Sequence, residues 1–453
     1  MGVSFMENIK SIIYSDNMDL PENVIESYNN SLYVFNNAIR VLNTKLNIIK
    51  SEYDREKIHS DIQNIKYRIK SLESITNKLR DDGLDFSTES VNTINDIVGA
   101  RIVCLDMDDV TSVVQMIKNI PSIRILNEKD YIKNPKESGY RSYHMIVEID
   151  VPIGTVLVPV KCEIQVRTLL MDAWSSLEHE IVYKNKKCSE QSINELLKFS
   201  HSLSSLESSM KLIRNREHIV KDDEIIKRKI KPKDLRTFKD NKYIYEAAEG
   251  VLSSYIDIII NEYNRSGLNS DVQNVKYRMK SINSIDKKLL NQGLEFNEEN
   301  IRNHVKDVVA SRIICLDLDD VSEMVRMIKE SPFINVIQEK DYITNPKKSG
   351  YRAYHLIVEV PVELSSGVIP IKCEIQVRTV LMDAWSSLEH EIIYKNENCS
   401  DDSKAMLRDY SYLLADMDDK MLDIKRTEVE NLLNSNEEKK ENVKILSKHP
   451  KKG

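Results

Sequence analysis

The chain has 453 residues, of which 41% are hydrophobic and 30% charged, with 65 basic side chains against 72 acidic ones. This composition fits a soluble globular protein of roughly two to four domains. The net charge of −7 disfavours a broadly nucleic-acid-coating surface, and no stretch approaches the roughly 18 to 20 apolar residues of a membrane span.

The start, MGVSFMENIK, lacks the long apolar core of a secretory signal, which points to the cytoplasm. Residues 5–80 read as mostly helical, with Val34, Ile39, Leu42 and Leu46 at helical spacing. After Gly83 the pattern changes. DIVGARIVCLD (Asp96 to Asp106) predicts a buried strand, and Asp108 to Ile120 a helix ended by Pro121. Ser142–Ile149 and Val156–Thr168 predict a hairpin around Pro152 and Gly154. Leu169–Tyr183 and Ile193–Arg214 predict helices.

Then the chain repeats itself. KCEIQVRTLLMDAWSSLEHEIVYKN (Lys161 to Asn185) returns at Lys372 to Asn396 with two mismatches, Leu169/Val380 and Val182/Ile393. Glu163/Glu374 and Asp96/Asp307 share an offset of 211. A period this long marks two copies of one domain rather than a solenoid. The expected layout is a first domain over 1–220, a charged linker over 221–240, a second domain over 241–435 and a charged, frayed tail over 436–453. The six cysteines fall into duplicated pairs without a CxxC, which reads as reduced thiols.

The chemistry concentrates in three repeated elements. Alternation along KCEIQVRT puts Cys162, Ile164 and Val166 on one face and Glu163, Gln165 and Arg167 on the other. An acid, an amide and a guanidinium in a row are costly unless that face is a wet cleft or fully paired; solvated charges on an exposed sheet face are the plainer alternative. Next, DYIKNPKESGYRSYH (Asp130 to His144) returns as DYITNPKKSGYRAYH. Its Lys136, Arg141 and His144 suit phosphate, and Tyr140 offers a flat face for a base. An ordinary charged surface turn is the alternative. Third, Asp96 and Asp307 each precede a buried strand. Each could join Glu163 or Glu374 in supplying oxygens to Mg²⁺, which takes carboxylates plus substrate phosphates. Arg101, inside its apolar strand, needs a carboxylate, a phosphate or a ring. Arg68, Lys70 and Lys78 form a basic cluster repeated as Arg278, Lys280 and Lys288, with a solvated helix face as the alternative. GxxxxGK[ST], GxGxxG and HExxH are all absent.

The pieces YRIKSLESITNK, DIVGARIVC, KDYIKNPKESGYRSYH and EIQVRTLLMDAWSSLEH, in that order and in both copies, resemble the RelA/SpoT synthetase family, particularly its small alarmone synthetases. The resemblance implies an α/β (α+β) fold, a mixed sheet flanked by helices, nucleotidyltransferase-like and here in tandem. It implies transfer of the ATP pyrophosphate to the 3′-hydroxyl of GDP or GTP, giving (p)ppGpp and AMP in a stringent-response role. On this likeness Asp96 and Glu163, with Asp307 and Glu374, hold Mg²⁺, and the glutamates help deprotonate the hydroxyl. Arg68, Arg101, Arg278 and Arg312 sandwich adenine, while Lys70, Lys78, Lys280 and Lys288 neutralise ATP phosphates. Tyr140 and Tyr351 stack on guanine. Lys136, Arg141, His144 and Gln165, repeated as Lys347, Arg352, His355 and Gln376, line the acceptor side. Two alternatives stay open: one copy is a regulatory nucleotide-binding module, or the enzyme is a toxin-like tRNA pyrophosphokinase. Fusion also predicts an internal pseudo-dimer, with whole chains able to assemble further.

Overall fold

The structure, a computed structural model, describes residues 22–55, 62–183, 188–216, 230–265, 272–394 and 399–448. The start of the chain, residues 221–229 of the expected linker and the last five residues of the tail lie outside the described residues. The fold divides into two compact units. One ends at Lys136 and resumes over Arg141–Leu169; the other takes Glu137–Tyr140 and everything described from Leu170 onward.

The first unit holds α1 (Glu22–Arg55), β1 (Ile62–Ile69), α2 (Leu72–Asp81), α3 (Thr88–Thr93), β2 (Val98–Cys104), α4 (Met107–Lys118), β3 (Arg124–Asp130), β4 (Tyr143–Ile153) and β5 (Val156–Thr168). The strand order is β1-β2-β5-β4-β3. Only β2 and β5 run parallel, so the sheet is mixed. One face packs under α1 and α4 through Leu42, Leu46, Val113, Ile117, Met145 and Ile164. This face takes every second residue of β5, which is why Cys162, Ile164 and Val166 are fully buried. The hairpin between β4 and β5 turns at Gly154, whose φ of 59° suits a residue without a side chain.

The second unit opens with α5 (Leu169–Glu178), which runs on into one π turn at His179–Tyr183, and α6 (Glu190–Arg216). It continues with α7 (Pro232–Arg265), β6 (Val272–Met279), α8 (Ile282–Leu290), α9 (Glu298–His304), β7 (Val309–Cys315), α10 (Leu318–Glu330), β8 (Asn335–Asp341), β9 (Tyr354–Leu364), β10 (Gly367–Thr379), α11 (Val380–Glu389), a second π turn at His390–Tyr394, and α12 (Asp401–Lys448). Its sheet, β6-β7-β10-β9-β8, repeats the first. Helices α7 and α10 cover the apolar face.

Within this unit α6 and the π turn after α5, both first-repeat elements, pack against α12 of the second. The seam has a polar clasp. Glu428 on α12 accepts from the Ser189 amide at 3.2 Å and from the Ser189 and Ser192 hydroxyls, both at 2.6 Å.

Several expectations change. β1 lies where helix was expected, because charges occupy alternate positions of KYRIK and leave Ile62, Ile65, Tyr67 and Ile69 as its apolar signal. β3 is a strand where no element was expected; as a bulged edge paired only to β4, its side chains are mostly exposed. From Pro232 the expected linker is already α7, with proline at the start of the helix, where its missing N–H costs nothing. Helix α12 runs on to Lys448, through most of the expected tail. No described helix is long and apolar enough to cross a membrane.

Candidate active site

The second repeat lies wholly within one unit and shows the site in full. Strand register puts Lys276, Arg312, Gln376 and His355 in one row across β6, β7, β10 and β9. A neighbouring row holds Arg278, Ala310, Glu374 and Ile357. Residues two apart on a strand share a face, so these two rows make one polar surface opposite the apolar core. Arg312 is the one residue of β7 that is not buried.

Asp307 precedes β7 and is gripped by two lysines. Lys280 at the end of β6 reaches it at 2.6 Å, and Lys288 on α8 at 2.8 Å. Local folding brings them together: the Lys280 amide bonds Val308 O at 2.8 Å, and Ser281 caps α8 immediately afterwards. Burial pushes the Asp307 carboxyl up, but the two ammonium groups outweigh it and hold it low. The first repeat has the same grip, with Lys70 at 2.7 Å and Lys78 at 2.8 Å from Asp96. The basic cluster therefore converges on a carboxylate and is no solvated helix face.

Around Glu374 the side chains close a ring. His355 Nδ1 meets Glu374 Oε1 at 3.0 Å, and Gln376 Nε2 donates to Oε2 at 2.7 Å. Arg378 donates to Gln376 Oε1 and, at 2.9 Å, to the Tyr351 hydroxyl. Tyr351 closes the circuit to His355 Nε2 at 2.8 Å. One tautomer satisfies it: Tyr351 donates to Nε2, and Nδ1–H donates to the glutamate. Burial raises the Glu374 pKa, yet the bonds from His355 and Gln376 bring it to about 2. In the first repeat His144 and Gln165 hold Glu163 in the same way, at 2.9 and 2.8 Å.

The loop between β8 and β9 carries Lys347, Tyr351 and Arg352. Lys347 Nζ lies 4.7 Å from the Tyr342 ring centre and 4.5 Å from that of Tyr351. Tyr342 stands edge-on to His355, as Tyr131 does to His144. Tyr351 is no open platform. It is only 9% exposed, tucked near Trp385 and Arg378, and must move outward to stack on a base. Arg352 also turns inward: its Nε bonds Ile343 O at 3.4 Å, and it lines a small cavity with Trp385, Leu414 and Asp418. In the first repeat, Lys136 lies 5.0 Å from the Tyr131 ring centre. Arg141 and Tyr140 fall in different units.

Gly350 is where this loop touches α12. Its φ is 91°, and a Cβ there would lie 2.0 Å from Ser411 Oγ and 2.7 Å from Ser411 Cβ. Gly350→Ala is therefore expected to cost about 2–3 kcal/mol in left-handed strain and overlap. Ser411→Ala should not rescue it, because Cβ itself obstructs. Thermal unfolding of the single and double variants checks both; an unchanged melting temperature would contradict this packing.

Three participants escaped the sequence reading: Lys276, Tyr342 and Asp383. Asp383 on α11 is buried and pairs with Arg312 at 2.8 Å. Among the described residues no group of three His, Cys, Asp or Glu could hold a metal ion. Each site offers two carboxylates. In the first repeat they sit close enough for the Asp96 charge to push the Glu163 pKa upward. Two hard oxygen donors fit Mg²⁺, which leans on phosphate oxygens and water to fill its shell.

A family model described as a region found in RelA / SpoT proteins matches residues 67–188 and 277–399. The GTP pyrophosphokinase YwaC of Bacillus subtilis is 40% identical over 198 residues, covering 43% of this chain and 94% of that protein. GTP pyrophosphokinase YjbM of the same organism is 36% identical over 132 residues, covering 29% of this chain and 62% of that protein. Among solved structures, small alarmone synthetase 2 from Bacillus subtilis is 39% identical over 42% of this chain and 99% of its own, with a TM-score of 0.39. Small alarmone synthetase 1 of that organism, bound to its product pppGpp, is 32% identical over 42% of this chain and 98% of its own, with a TM-score of 0.40.

Proposed function

Since this chain belongs to the RelA/SpoT family, we propose that each repeat is an ATP:GDP/GTP 3′-pyrophosphotransferase making (p)ppGpp and releasing AMP. The observation that carries this reading is the polar face of the sheet. It holds a lysine-gripped aspartate and a hydrogen-bonded glutamate side by side, and it occurs twice.

The division of labour follows from position. Arg278 and Arg312, on adjacent strands and the same face, take the adenine between guanidinium planes. Lys280 and Lys288 already neutralise Asp307, and turn to the ATP phosphates when these arrive. Asp307 and Glu374 would hold Mg²⁺, which when bound supplies charge neutralisation at the β- and γ-phosphates. Glu374 takes up the proton of the acceptor 3′-hydroxyl, and His355 and Gln376 orient its two oxygens. Tyr351 swings from its buried position onto guanine, with Lys347 and Arg352 on the acceptor phosphates. The same roles fall to Arg68, Arg101, Lys70, Lys78, Asp96, Glu163, His144, Gln165, Lys136 and Arg141 of the first repeat. The setting is the cytoplasm.

AMP release by the full chain, with ATP and GDP or GTP, tests this. The proposal expects release that needs both acceptor and Mg²⁺ and stops on chelation. AMP formed equally well without acceptor would mean simple hydrolysis and would overturn it.

A further inference from the structure

Asp383 is a buried carboxylate of the second repeat that faces three cations and to which neither chemistry nor metal has been assigned. It sits in the first turn of α11, 3% exposed, under the polar face of the sheet. Its Oδ1 receives Arg312 Nη1 at 2.8 Å and has Arg378 Nη1 at 3.5 Å; its Oδ2 faces Lys276 Nζ at 3.4 Å. Lys276 and Arg312 are register partners on neighbouring strands, so two cations lie side by side, with a third beyond. Left alone, they would repel one another and turn the Arg312 guanidinium towards solvent. The carboxylate fixes one edge of that guanidinium, and with it the direction in which the plane faces.

From this geometry we infer that Asp383 is a positioning residue for the donor nucleotide, holding the Arg312 plane where the adenine stacks. The inference rests on the pyrophosphokinase reading and adds a group that does not touch substrate. A role in charge balance alone makes a different prediction, because any carboxylate at that place would serve.

The test uses the full chain carrying Glu163→Gln, so that turnover reports the second repeat. Asp383→Glu keeps the charge but moves it by one methylene; Asp383→Asn keeps the shape and removes the charge. Positioning predicts that both raise the ATP KM about tenfold with a much smaller change in kcat and none in the acceptor KM. It also predicts that Arg312→Gln causes little further loss in either background, since interacting residues are non-additive. Calorimetric binding of a non-hydrolysable ATP analogue should show one of two sites weakened to the same extent. Parent-like ATP affinity in Asp383→Glu would leave only charge balance and overturn the inference. Should Asp383→Asn not fold, the Glu variant decides alone. A parent that releases no AMP would refute the pyrophosphokinase reading in this repeat, while the binding arm would still decide on Asp383.

Discussion

Glu163→Gln combined with Glu374→Gln is expected to lower AMP release by a factor of about 10² or more, as is typical when a group stabilising charge in the transition state is lost. Each single variant should keep a large share of the activity, contributed by the untouched repeat. Glutamine matches glutamate in size, so the fold should survive. The replaced oxygen, however, becomes an NH₂ facing the Gln376 amide or the His355 N–H, and the ring turns from fully accepted to conflicted. More important, on the proposed mechanism the site loses the negative charge that takes up the hydroxyl proton. Both repeats hold their glutamate through the same histidine and glutamine at nearly the same distances, and both grip their aspartate with two lysines. Two working sites are therefore expected. If Glu163→Gln alone, or Glu374→Gln alone, removes all activity, the other repeat is silent and serves regulation instead.

Asp418→Asn should make the protein more stable at pH 8 than its parent, by up to about 4 kcal/mol, and leave it nearly unchanged at pH 4. Burial pushes the Asp418 pKa up to about 7, only partly countered by the Thr379 hydroxyl and by Arg352; Asp419 and Asp317 push it further. The sign follows from proton counting. Below the ordinary carboxylate range, folded and unfolded chains both carry the proton, and the full stability is present. As pH rises from there towards 7, the unfolded chain gives up its proton while the folded one keeps it, so stability falls. Above 7 the loss is complete. Asparagine carries no such linkage and still accepts the 2.9 Å bond from Thr379. In the first repeat the equivalent position is Glu207, which is half-buried. Thermal unfolding of parent and variant at pH 4, 6 and 8 measures the effect. An equal shift at every pH would mean that packing, not ionisation, is responsible.

Much of the site was legible because a strand writes its faces in alternation. Glu163, Gln165 and Arg167 announced themselves against Cys162, Ile164 and Val166, and the buried run around Arg101 asked for a partner. The same rule applied to KYRIK would have found β1 and, with it, Lys66 and Lys276; there the surrounding helical spacing prevailed. Asp383 could not be read at all. Its meaning depends on α11 folding back over β7, 71 residues earlier in the chain, and nothing in MDAW signals that return. Tyr351 was legible as an aromatic residue in a polar loop, but its inward resting position depends on Trp385, Arg378 and His355 arriving from three other elements. The boundary between the compact units was hidden for a similar reason. It follows the packing of α6 on α12, a long-range event, rather than the 211-residue period.

The central claim is that this face transfers pyrophosphate to a guanosine 3′-hydroxyl, and following the β-phosphate tests it most directly. ATP labelled at that position is given to the full chain with Mg²⁺, and GDP, GTP and uncharged tRNA are offered separately. The account predicts label on GDP or GTP in step with AMP release, and none on tRNA. Label on tRNA alone, or no transfer to any acceptor, would contradict it.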